Sequence, residues 1–199
     1  MDRFLNPKKR PSEAEQGEED GAKTAKIEKV QDRDGKVVDY ILGKAQYGHN
    51  GKFSTNASKR KILLIGKPYY WTNDSIPIED LPDYFVEFLK AYQVEECNSI
   101  LCNVYLEKGS KIAWHRDLTP VLQPGKGMVH SISLAVHAQD RDKELATMRF
   151  KMNNNVTTHS LRHGTCITFD AFADYTNNRF HEVPSTKLPR VNITCRHMR

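Results

Sequence analysis

Apolar positions in this 199-residue chain come in short runs set apart by glycine, proline and charged clusters. Runs of that length, rich in branched residues, predict strands. Residues 37–42, bounded by Gly35 and Gly43, are predicted to open the fold as a strand, and residues 62–65 form the next. Further strands are predicted over 98–105, 112–117, 130–136, 147–152, 166–170 and 189–196. The rhythm becomes helical in one place. After Asp80-Leu81-Pro82, the residues Tyr84, Phe85, Phe88, Leu89 and Tyr92 recur at helix spacing and predict a stripe that packs under a sheet. Turns are predicted at Gly48-His49-Asn50-Gly51, Lys108-Gly109-Ser110 and Pro124-Gly125-Lys126-Gly127.

The last strand alternates strictly: Arg190, Asn192, Thr194 and Arg196 on one face, Val191, Ile193 and Cys195 on the other. An edge strand with its polar side in water has this pattern. So does a strand that turns two guanidinium groups towards a carboxylate ligand, because a guanidinium grips a carboxylate through two parallel hydrogen bonds. Upstream, His115 and Asp117 stand two residues apart on an extended strand and project from one face. His181 would complete two imidazoles and one carboxylate, leaving coordination positions open. That donor set marks non-haem Fe(II) oxygenases, whereas structural zinc calls for a closed set of four, usually richer in cysteine. A surface histidine beside a solvated aspartate has the same local spacing. His49, His130, His137, His159, His163 and His197 have no metal-spaced partner and read as structural or exposed. Strands joined by turns, a well-marked helix and an inward polar strand face predict a mostly β (α+β) fold, a double-stranded β-helix or jelly roll with a supporting N-terminal helix.

His115-x-Asp117, His181 and Arg190-x-Asn192-x-Thr194-x-Arg196, in that order, resemble the AlkB-like Fe(II)/2-oxoglutarate-dependent dioxygenases. Asn98–Tyr105 is similar to the strand that precedes the metal motif in that family, and the likeness runs from about Tyr69 to Arg196. The resemblance implies that His115, Asp117 and His181 bind Fe(II). It implies that Arg190 and Tyr105 hold the distal carboxylate of 2-oxoglutarate, and that Asn103, Asn192 and Arg196 secure the rest. It puts Tyr69 and Trp71 beside the substrate, where aromatic faces stack on bases at about 1–3 kcal/mol each. The implied activity is oxidative dealkylation of alkylated DNA or RNA, a direct-reversal repair that uses O2 and releases succinate, CO2 and an aldehyde. Leu118-Thr119-Pro120 departs from the family, whose repair members carry acidic residues there, and the segment before Tyr69 is short. Those departures keep two alternatives open: a 2-oxoglutarate-dependent hydroxylase or demethylase of a protein or small molecule, and a catalytically inactive nucleic-acid-binding jelly roll.

The net charge of +5 favours a polyanionic partner. Cys97, Cys102, Cys166 and Cys195 lack zinc-type spacing and read as reduced, buried thiols. No stretch reaches the roughly 18 apolar residues of a membrane span, so no membrane is expected. Residues 1–26 carry too little apolar surface to offset ordering and read as a disordered tail ahead of one catalytic domain over 27–199, expected to act as a monomer. In that tail Pro7-Lys8-Lys9-Arg10-Pro11 is a basic cluster of the kind used for nuclear import, with a cytoplasmic location as the alternative. The start, Met1-Asp2-Arg3-Phe4-Leu5, resembles that of the nuclear DNA-repair AlkB homologues, which implies docking of Arg3-Phe4-Leu5 on a replication sliding clamp.

Overall fold

The computed structural model describes residues 32–47, 60–68, 75–117 and 121–199. The tail with its import and clamp peptides, the turn at residues 48–51, Tyr69, Trp71 and Leu118-Thr119-Pro120 lie outside the described residues.

Helix α1 covers residues 32–44 and α2 covers Asp83–Ala91. Strands β1 (Gln46–Tyr47), β2 (Arg60–Gly66), β3 (Ser99–Tyr105), β4 (Ile112–His115) and β5 (Met128–Ala135) lead into the second half. There follow β6 (Ala146–Met152), β7 (Asn155–Leu161), β8 (Thr165–Asp170), the short helix α3 (Ala171–Thr176), β9 (Arg179–Val183) and β10 (Arg190–Arg196). The larger sheet has the order β1-β2-β3-β10-β5-β8 and the smaller β4-β9-β6-β7, with every strand pair antiparallel. From β3 onwards consecutive strands are shared between two four-stranded layers, which is the double-stranded β-helix the alternation predicted. No helix among the described residues is long and apolar enough to cross a membrane.

Two cores follow from the two faces of the larger sheet. Outside it, Ile100, Cys102 and Val104 of β3 and Val191, Ile193 and Cys195 of β10 pack against Phe85, Phe88 and Leu89 of α2. Each phenylalanine is fully buried and stabilises by roughly 1.5–3 kcal/mol. Inside, between the sheets, Leu122, Val129, Met148, Phe150, Leu161 and Phe169 close the far part of the barrel. The polar row of β10 shares that interior.

The strand predicted over residues 37–42 is instead part of α1. Val37, Val38, Ile41 and Ala45 all face the core, a helical spacing. The branched residues of this run suit a strand locally, but burial against α2, where the rings of Tyr40 and Phe85 meet edge-on at 5.6 Å, overrides that propensity. Buried Asp34 fastens the helix: His163 Nε2 lies 3.3 Å from its carboxylate, and His163 Nδ1 accepts from the Ala135 N–H at 3.1 Å. An Nδ1 that accepts leaves the ring proton on Nε2, aimed at Asp34.

Strand β7 was not anticipated. Leu161 is its one buried residue, so an edge strand of mostly polar side chains leaves almost no apolar period to detect. Cysteines 97, 102 and 195 are buried free thiols, whereas Cys166, also predicted buried, is exposed on β8 at the edge of the larger sheet.

Candidate metal centre and its cavity

His115 ends β4, and His181 stands directly opposite it in the register of β9. Their ring centroids are 4.2 Å apart. Asp117, just beyond the strand, completes a cluster whose donor atoms all lie within 4.8 Å of one another, and no other such group of His, Cys, Asp and Glu occurs among the described residues.

Each donor is prepared by its surroundings. His115 Nδ1 is 2.8 Å from the Ala113 carbonyl, which only accepts, so Nδ1 carries the proton and Nε2 keeps its lone pair. His181 is 5% exposed and lies against the rings of Phe169 and Phe150. Burial first, and then the nearby His115, push its pKa down to about 3. It is therefore a neutral imidazole near pH 7. Burial by itself would raise the pKa of Asp117, but the Arg196 guanidinium, with His181 and His115, more than offsets it and holds the carboxyl below its ordinary value. Arg196 donates to both oxygens, Nε to Oδ2 at 3.0 Å and a terminal nitrogen to Oδ1 at 3.2 Å. A carboxylate oxygen has a second lone pair, so Asp117 can serve a cation and Arg196 together. Two imidazoles and one carboxylate, with His115 partly exposed and the other two buried, fit a divalent first-row metal of the oxygenase type better than structural zinc.

These shifts have a sign. An unfolded chain protonates His181 near the ordinary value of 6.5, whereas the fold resists protonation until about 3. Stability of the metal-free protein is therefore expected to be full above about pH 6.5 and to decline as pH falls towards 3, with the lowered Asp117 adding to the loss at the acid end. Urea unfolding at about pH 7 and about pH 4 measures the decline. It should shrink in His181→Gln, and an equal decline in that variant would contradict a neutral buried imidazole.

The polar row of β10 is not an exposed edge. β10 pairs with β3 on one side and β5 on the other, and Arg190, Asn192, Thr194 and Arg196 are all buried. They point into a cavity of about 390 Å3, the size of a small-ligand site, which His115, Asp117 and His181 also line. Arg190 is 1% exposed. It donates to Ser133 Oγ at 3.1 Å, its guanidinium sits 4.6 Å from the centroid of the Tyr105 ring, and no acidic side chain among the described residues pairs with it. Its Nε and the Tyr105 hydroxyl have no hydrogen-bond partner among the described residues. Asn192 donates to Ser131 Oγ and the Ile132 carbonyl and accepts from Thr194 Oγ1. Asn103 lies beside Asn192 in register and lines the same cavity.

The structure thus brings together His115, Asp117, His181, Asn103, Tyr105, Arg190, Asn192 and Arg196. Arg196, read as a co-substrate residue, spends its fork on Asp117. Sequence reasoning missed Arg60, which lines the cavity and donates to Asn103 Oδ1 at 3.1 Å. It missed Ser131 and Ser133 as well. The signal for Arg60 was available: it stands two residues before Ile62, on the face shared by Arg60, Ile62 and Leu64. At the cavity wall, which Trp114 and Arg116 help to line, Arg116 lies over the rings of Tyr175 at 4.9 Å and Phe180 at 4.6 Å, and Arg149 over Trp114 at 5.5 Å.

No family model matches the chain, and no curated protein matches it. Among solved structures it is similar to a prolyl-4-hydroxylase from Pseudomonas putida, at 13% sequence identity, over 83% of this chain and 87% of that one, with a TM-score of 0.50. At that identity the likeness concerns the fold.

Proposed function

We propose that the protein is an Fe(II)- and 2-oxoglutarate-dependent dioxygenase whose substrates are alkylated bases in DNA or RNA. The observation that carries the oxygenase reading is a donor triad and a buried, acid-free guanidinium sharing one cavity. A buried cation without a counter-charge is costly, and a ligand carboxylate would remove that cost. Arg190 and Tyr105 offer the unpartnered Nε and hydroxyl to the distal carboxylate. Asn103 and Asn192 line the cavity beside it.

His115, Asp117 and His181 would hold the ion, with Arg196 keeping Asp117 ionised and oriented. When bound, Fe(II) and 2-oxoglutarate supply an oxidation by O2 in which the co-substrate leaves as succinate and CO2 and a substrate C–H becomes C–OH. Met148, Leu161 and Phe169 line the cavity with apolar surface and limit water at the centre. An N-methyl group so hydroxylated is a hemiaminal, which breaks down to formaldehyde and a free ring nitrogen without an acid–base pair from the protein.

The nucleic-acid assignment is supported by the Arg-x-Asn-x-Thr-x-Arg resemblance and the positive net charge. A second reading, hydroxylation of a protein side chain, is favoured by the likeness to a prolyl-4-hydroxylase. Matched N-methylated DNA, N-methylated RNA and proline-containing peptide, each with Fe(II) and 2-oxoglutarate, separate the two. Succinate with formaldehyde is expected in a nucleic-acid arm. Succinate with hydroxyproline would replace the nucleic-acid reading, and no succinate in any arm would count against both. Nuclear import through residues 7–11 and clamp docking through Arg3-Phe4-Leu5 belong to the same proposal, and deleting residues 1–26 should abolish both without changing turnover.

A further inference from the structure

Helix α3 carries a second carboxylate to the back of the metal centre. Asp170 caps the helix by accepting from the N–H groups of Phe172 and Ala173, and the turn that follows sets Asp174 behind His181. Asp174 is 1% exposed. Arg179 holds its Oδ1, with Nε donating at 2.7 Å. Among the described residues the other oxygen, Oδ2, has no hydrogen-bond partner, and neither has Nδ1 of His181. These two buried atoms face each other across 4.0 Å. A buried polar atom left without a partner is destabilising, because it has given up water and gained nothing in return. Here a potential N–H donor and an acceptor are left over in one place, separated by little more than the ~2.7–3.2 Å of a hydrogen bond.

We propose that Asp174 is the positioning residue of His181: its Oδ2 accepts the Nδ1–H, fixing the tautomer and leaving the Nε2 lone pair for the ion. The inference rests on His115, Asp117 and His181 being a metal centre. It makes the two imidazoles parallel in design, since the Ala113 carbonyl does for His115 what the Asp174 carboxylate does for His181. The difference is charge. A carboxylate acceptor raises the basicity of the ring it holds more than a carbonyl does, so His181 becomes the stronger ligand. Arg179 binds the other oxygen, Oδ1.

The test uses Zn(II), which is diamagnetic and redox-inert, with the full-length chain. Asp174→Asn is expected to weaken Zn(II) binding by about 10-fold or more, measured by competition with a chelator. Arg179→Gln removes the other partner of Asp174 and should stay much closer to wild type. In the Zn(II)-loaded wild type, nitrogen NMR should find the His181 proton on Nδ1, with a slowly exchanging, downfield resonance. Wild-type protein that takes up no Zn(II) overturns the metal centre itself. If the wild type binds, three results overturn this inference alone: equal affinity in Asp174→Asn, an Arg179→Gln loss as large as that of Asp174→Asn, or a His181 proton on Nε2. Should Asp174→Asn fail to fold, the wild-type proton position decides.

Discussion

Arg190→Met is expected to move stability and ligand binding in opposite directions. In the ligand-free protein the guanidinium is buried with Ser133 Oγ and the Tyr105 ring as its polar company, and burial pushes its pKa down. Replacing buried ionic groups by apolar ones of similar volume commonly stabilises, by about 1–4 kcal/mol. The cation–π contact with Tyr105 returns part of the desolvation cost, roughly 2 kcal/mol when shielded from water, so the expected gain is at the low end. For 2-oxoglutarate the sign reverses. Stranding a buried carboxylate without its partner costs about 3–5 kcal/mol, which is roughly 10^2- to 10^4-fold in affinity. Urea unfolding of the apo-protein and calorimetric titration of the Zn(II)-loaded protein with 2-oxoglutarate measure the two effects separately. Unchanged binding would remove Arg190 from the co-substrate site, and a large loss of stability would mean that it serves the fold instead.

His115→Ala is expected to lower succinate release to the no-enzyme background while leaving the fold intact. The side chain is only partly buried, and its one hydrogen bond among the described residues goes to the Ala113 carbonyl. Its loss should therefore cost little stability, within the ordinary range of about 0.5–3 kcal/mol for a substitution. Two remaining protein donors would leave Fe(II) held by Asp117 and His181 alone, one fewer than the catalytic minimum seen in such centres. Circular dichroism together with the succinate assay checks both halves. Residual turnover that persists after chelation would mean that the chemistry does not depend on this centre.

Much of the site was legible because its motifs are local. His115 ends β4 and Asp117 follows two residues later, just beyond the strand predicted to hold both, while the row from Arg190 to Arg196 keeps strict alternation, so short covalent spacing holds each group of side chains close. What alternation left undecided was direction. A polar face on an edge strand looks outwards, and the same face on a central strand looks inwards. The pairing of β10 with both β3 and β5 made it the second case. Ser131 and Ser133 escaped notice for a related reason: each matters through a neighbour on another strand, and strand register is not written in any one run of residues. Asp174 was passed over because a helix of six residues has too few turns to show a period.

The misread element has the opposite cause. The branched run around Val37 and Val38 prefers a strand locally, yet its apolar residues also fit one side of a helix, and contact with Phe85 and Phe88 selects the helix. Residue identity alone thus settled which chemical groups exist and which of them share a strand face, since covalent spacing and the pleat require no partner. Packing and register decided which faces turn inwards, that His181 meets His115, and that Arg190 lies buried with no acid beside it. Those outcomes depend on contacts between segments far apart in the chain, where burial of apolar surface outweighs the weaker preferences of each segment.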